Sequence, residues 1–106
     1  MGASKLTDLR LTPAARADLE AIWLYTMQAW SADQADRYTD ILEDTFDRLL
    51  FMPELGRERM EFDPPVRLHL SGEHIIIYRI EADHLVILRI LGGKQDWAAI
   101  LRALDP

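Results

Sequence analysis

The chain has no cysteine among its 106 residues. That excludes disulfides, thiolate zinc sites and a cysteine nucleophile, and it fits a reducing cytoplasm, the expected location. Excess positive charge is also missing: 12 Lys and Arg stand against 18 Asp and Glu, a net −6. Nucleic-acid binding usually rests on a basic patch, so no direct nucleic-acid partner is expected. No stretch approaches the ~20 apolar residues of a membrane span. The opening Met1-Gly-Ala-Ser-Lys-Leu6 lacks the apolar run of a signal peptide, so no membrane association is expected either.

What is present is enough for a core. Apolar residues make up 49% of a length that suits one domain, expected over 1–106. The acid excess is uneven. Residues 13–52 hold eight acids against three bases, whereas residues 53–106 hold nine against seven.

Lys5 to Leu11 alternates as a short strand. Thr12-Pro13 starts a helix, because threonine caps and proline at the first helical position has its φ preset. Leu19, Ile22, Trp23, Thr26, Met27 and Trp30 follow at helical spacing, which predicts a core stripe containing both tryptophans. Ser31-Ala-Asp-Gln34 has the pattern of a capping box and opens a second helix near Ala32. The stripe of that helix is Ala35, Tyr38, Leu42, Thr45, Phe46 and Leu49, and Met52-Pro53 ends it. Residues 53–65 read as a charged loop. Val66, Leu68 and Leu70 then alternate with Arg67, His69 and Ser71, which points the first set inward and the second outward. Residues 74–81 form a strand that is apolar on both faces, as a central strand should be. After a turn at Ala82-Asp-His84, residues 85–91 form another. Gly92-Gly93 breaks the pattern, and Trp97, Ile100, Leu101 and Leu104 predict a short amphipathic helix. The expected fold is α+β, β-α-α-β-β-β, with a helical hairpin on an antiparallel sheet and a short C-terminal helix.

Arg79 and Arg89 stand in the apolar hairpin 74–91, and arginine is rarely buried without a partner. Each must therefore be paired or lie at a surface that something else uses. Ribonuclease chemistry would need a base, an acid and positive charge at one phosphate. Its candidates are Arg67, His69, His74, Tyr78, Arg79 and Arg89. Strand periodicity sets Arg79 on the face opposite Tyr78, and it separates His74 from Tyr78 by about 13 Å at ~3.3 Å per residue. No catalytic set is therefore assigned. His69, His74 and His84 lack ligand spacing, so no metal and no cofactor are expected. Arg57, Arg59, Arg67 and Arg89 could form a cationic rim for an acidic partner, or pair internally with Glu54, Glu58, Glu61 or Asp63. The segment bearing Trp97 either caps the sheet or is covered by a partner.

Taken together, several segments resemble the ParE branch of the RelE/ParE toxin superfamily. Leu11-Thr-Pro-Ala-Ala-Arg-Ala-Asp-Leu-Glu-Ala-Ile22 resembles the family's first-helix opening. Tyr25 and Trp30 with Gln34-Ala-Asp-Arg-Tyr38 resemble its helix junction, and Phe46 to Leu49, Met52-Pro53 and Gly56-Arg57 its second-helix exit. Arg67, His74, Ile76 and Tyr78, then Ile87 to Leu91 with Asp96, match its later strands. The family often has a histidine and further basic residues after the last strand, where this chain has Gly92-Gly-Lys-Gln-Asp96. The resemblance implies the toxin of a type II toxin-antitoxin module, in a hetero-oligomer with a ParD-like antitoxin and acting on DNA gyrase by binding. The alternative it leaves is ribosome-dependent mRNA cleavage of the RelE type. Relatives of that type are similar in a Lys and Arg cluster with a late tyrosine, where this chain has Lys94 and Trp97. Partner-binding residues on this reading are Arg57, Arg59, Arg67, His74, Tyr78, Arg89, Lys94 and Trp97.

Overall fold

A computed structural model describes residue 6 and residues 8–104. Lys5 and Thr7 of the expected first strand, and the Leu104 side chain of the expected terminal stripe, lie outside the described part. In chain order the elements are β1 (Asp8–Leu11), α1 (Pro13–Ala29), α2 (Ala32–Phe51), β2 (Arg57–Arg59), β3 (Val66–Ser71), β4 (His74–Glu81), β5 (His84–Gly92) and α3 (Trp97–Leu104).

Both helix starts follow from local chemistry. The Thr12 hydroxyl accepts from the Ala15 amide at 3.0 Å and donates to the Leu88 carbonyl at 2.7 Å, so the cap of α1 is also its suture to β5. The Ser31 hydroxyl accepts from the Gln34 amide at 3.0 Å. Only half of the expected box forms, because the Gln34 carbonyl oxygen takes the Arg37 guanidinium instead.

The sheet order is β1-β5-β4-β3-β2. The β2–β3, β3–β4 and β4–β5 pairs are antiparallel, whereas β1 lies parallel to β5, with Leu9 opposite Leu85 and Leu11 opposite Ile87. The sheet is therefore mixed, because α1 and α2 lie between β1 and the rest. Residues 57–59, expected as loop, pair with Leu68, Arg67 and Val66 and become the edge strand.

Each face of the sheet has its own apolar cluster. Under the α1–α2 hairpin lie Ile22, Leu42, Phe46 and Leu49 with Ile76, Tyr78, Leu85, Ile87 and Ile90. On the other face Phe62, Val66, Ile75, Ile77 and Leu91 pack with Leu101 of α3. So α3 caps the sheet, one of its two expected fates. With both faces covered, the expected inward and outward sides of β3 lose their meaning. Ser71 on the supposed outer side is buried, with its hydroxyl 3.1 Å from that of Thr45 in α2.

The pairing of β4 with β5 slips between Ile77 and Tyr78: Ile77 faces Arg89 but Tyr78 faces Ile87. The extra residue in β5 makes a bulge, which breaks strict alternation. Ile87 before it and Ile90 after it both enter the hairpin-side core. Arg89 is thereby directed at α1.

The tryptophan expectation needs correcting. Trp30 is 77% exposed. Eight residues beyond the buried Ile22, helical rotation has carried it about 80° round the axis. Trp23 is half-buried and its indole N–H donates to Asp36 at 2.9 Å, tying α1 to α2.

Candidate functional site

The chemistry-bearing residues fall into two places, one around Tyr78 in the middle of β4 and one around His74 at its start. The first is the β2 edge. Tyr78 is fully buried, and its hydroxyl donates to the Pro53 carbonyl at 2.7 Å while accepting from the Gly56 amide at 2.8 Å. It is among the residues expected to meet a partner; here the ring is buried and two backbone groups occupy the hydroxyl. Burial also raises its phenol above the ordinary value. Arg67 opposite it donates to the Gly56 carbonyl at 2.8 Å and lies 3.8 Å from Glu58. These contacts pin the segment that leads into β2.

Outside this pinned layer the edge is cationic and apolar. Arg57 is exposed and forms no ion pair among the described residues. Arg59 binds both carboxylate oxygens of Glu61 and lies 5.0 Å over the Trp97 ring. Internal pairing thus takes Arg59 and Arg67 in part and leaves Arg57 out. Phe51 (78% exposed), Met52, Leu55 and Met60 (70%), which flank the strand in sequence, are all exposed. As the end strand, β2 presents outward backbone groups without a strand partner among the described residues. Lys94 is exposed in the turn between β5 and α3.

The second place is a cleft of about 700 Å³ between the α1–α2 junction and the start of β4, lined by residues that include Tyr25, Trp30, Tyr38, Glu73, His74 and Arg89. The Tyr38 hydroxyl accepts from the Glu73 amide at 3.0 Å and lies 2.6 Å from His74 Nδ1. The same hydroxyl lies 3.5 Å from the Ser71 carbonyl, so which group of the Tyr38–His74 pair donates follows the imidazole tautomer. Burial holds the imidazole pKa below its ordinary value, against weaker opposing effects of Glu73 and Asp18. At the back of the cleft Arg89 donates to both oxygens of Asp18, at 2.7 and 2.8 Å, and the Ile90 amide adds a third bond to that carboxylate at 2.9 Å. The bidentate bond raises the Arg89 pKa further. Arg89 is thus a strut between α1 and the bulge of β5. Arg79 is also paired internally, with Glu81 at 2.6 Å.

His74 and Tyr78 therefore have separate partners at separate places on one strand. Tyr38 and Glu73, which complete the cleft, were missed in the sequence. Tyr38 showed the spacing of a core stripe and a place in the helix junction, and its partners lie 35 and 36 residues away. Among the described residues no group of three or more His, Asp or Glu could hold a metal ion. No described helix is long and apolar enough to cross a membrane.

The mixed sheet, the hairpin on one face and the cationic edge define a small α+β domain. Residues 9–97 match the family described as ParE toxin of type II toxin-antitoxin system, parDE, and the chain belongs to that family. It is 36% identical over 87 residues to Toxin ParE1 of Mycobacterium tuberculosis (strain H37Rv), spanning 81% of this chain and 89% of that protein. Toxin ParE1 of Caulobacter vibrioides is 33% identical over 92 residues, 87% of this chain and 95% of the relative. A solved structure of the chromosomal ParDE TA system from P. aeruginosa superposes with a TM-score of 0.72 at 23% identity, covering 84% of this chain and 98% of that one. At that identity the likeness concerns the fold.

Proposed function

We propose that this chain is the toxin of a two-protein module, held silent by a ParD-like antitoxin in a hetero-oligomer, and that it inhibits DNA gyrase by binding in the cytoplasm. The observation that carries the reading is the family match over residues 9–97, which takes in the helical hairpin and every strand of the sheet. The description of the matched family, a toxin of type II toxin-antitoxin systems, supports an antitoxin partner.

The β2 edge suits an antitoxin. An extended segment can add to its outward backbone groups, with acidic side chains meeting Arg57 and Arg59 and apolar ones resting on Met60 and Leu55. Arg67 and Trp97 contribute by holding the edge in shape. Arg57→Glu with Met60→Asp should weaken antitoxin binding about ten- to hundred-fold, or roughly 1–3 kcal/mol. Titration calorimetry of the purified pair measures this, and unchanged affinity would refute the placement.

The gyrase reading is tested on plasmid DNA. Purified toxin mixed with gyrase should stabilise cleaved plasmid. An intact supercoiling reaction at high molar excess would sink it, and message cut in a primer-extension assay on translating ribosomes would favour mRNA cleavage instead.

A further inference from the structure

The cleft beside His74 is not absorbed by that reading, since it shares no lining residue with the β2 edge. We propose that it receives an arginine side chain from a basic segment of a partner protein, with the guanidinium on Trp30 and Tyr25 and paired to Glu73.

Three observations point this way. First, Trp30 and Tyr25 are 77% and 71% exposed, and both line the same cleft. Large aromatics left open together mark a contact surface, and a ring face attracts a cation. Second, the lining charges are Asp18, Glu73 and Arg89. Arg89 is engaged with Asp18 through both Nε and Nη2, so the Glu73 carboxylate remains, with no ion pair among the described residues. Third, the surrounding hairpin is acidic: residues 13–52 hold eight acids against three bases.

The same charges argue against an anion. A phosphate or carboxylate would face Glu73, and on the Nε–Nη2 edge of Arg89 it would compete with Asp18, which also accepts from the Ile90 amide. A guanidinium suits the cleft better than an ammonium because its planar face stacks on an aromatic ring while its edge pairs with a carboxylate.

The test is an NMR titration of the full chain with N-acetyl-arginine amide, N-acetyl-citrulline amide and N-acetyl-glutamate. Citrulline keeps the shape of arginine and lacks its charge. The arginine probe should shift the Trp30 indole N–H and the Tyr25 ring signals saturably, with a low-millimolar Kd, and the citrulline probe at least five-fold more weakly. Trp30→Ala and Glu73→Gln, both at exposed positions, should each weaken the arginine response at least three-fold while leaving the amide spectrum folded. Equal responses to arginine and citrulline, no saturation, or a stronger response to glutamate would each overturn the proposal. Because no antitoxin or gyrase is in the tube, the result stands or falls apart from the toxin reading.

Discussion

The middle of β4, at Tyr78, and its start, at His74, use the same device for different purposes. At each a tyrosine hydroxyl binds a backbone amide, and the tyrosine packs against a glycine. Tyr78 takes the Gly56 amide and is itself the wall against which a Gly56 Cβ would stand, 2.5 Å from the hydroxyl. Tyr38 takes the Glu73 amide, and a Cβ on Gly72 would stand 2.7 Å from its hydroxyl. The difference is solvent. Tyr78 is sealed beneath the edge strand, whereas Tyr38 is only half-buried and opens on the cleft. One tyrosine is scaffold, fixing β2 so that its arginines face outward. The other is held in place yet still borders space that a ligand can enter. The hydrogen-bond pattern alone would not tell them apart; what lies over each ring does.

Replacing the two glycines should break this comparison most sharply. Gly56→Ala sets a Cβ 2.5 Å from the Tyr78 hydroxyl and 3.0 Å from the Leu68 carbonyl, a backbone atom. Neither neighbour can retreat, so the loss should be about 3 kcal/mol, the upper end for overpacking. Gly72→Ala meets a side chain that can swing into the cleft, and its main cost is the φ of +59°. That should cost about 1–2 kcal/mol. Urea denaturation of both variants decides the matter, and equal losses would mean that the two places are equally closed.

The hydroxyls give the next smaller contrast. Tyr78→Phe strands the amide of Gly56, a buried residue, and removes the donor to Pro53, for about 2 kcal/mol. Tyr38→Phe leaves the amide of the exposed Glu73 and the His74 Nδ1 to water in the open cleft, which should cost about 1 kcal/mol. Thermal melts would register the larger change as a fall of very roughly 10 °C and the smaller as a few degrees. Reversal of that order would put the closed part of the strand at His74.

How much of this was legible in the sequence follows from distance along the chain. The helix starts at Thr12-Pro13 and Ser31 were readable because a cap and its amide are three residues apart. Strands β3, β4 and β5 were readable from apolar spacing. By contrast, Arg57-Glu-Arg59 carries no apolar alternation, and it is a strand only because β3 lies beside it. The parallel place of β1 depends on β5, more than 70 residues later. The arginines of the edge stood out as charge. That Arg89 is a strut could not be read, since its partner Asp18 lies 71 residues away on another element. The bonding partners of Tyr78 were hidden for the same reason, since Pro53 and Gly56 lie in a segment that reads as loop.

The smallest expected effect concerns pH, and it separates the two places by what titrates at each. Burial lowers the folded-state pKa of His74 below 6.5, while the unfolded chain keeps roughly that value. Between the two values the unfolded state binds more protons, so stability rises with pH up to about 6.5 and falls as acid is added below it. His69 is shifted in the same direction, by burial and by Arg48, and needs its own control. His74→Gln should flatten part of the slope below pH 6.5, and His69→Gln the remainder, in urea midpoints taken from pH 5 to 8. Facing His74 are the Tyr38 hydroxyl, Glu73, Asp18 and Arg89; of these, Glu73 and Asp18 both favour the charged imidazole. That is why the effect should be modest. The surroundings of Tyr78 should behave oppositely: its phenol is raised above 10.0, so its contribution holds through neutrality and is lost only as pH climbs past that value. An acid slope that survives removal of both imidazoles would show that carboxylates, not the cleft histidine, set the acid limit of this fold.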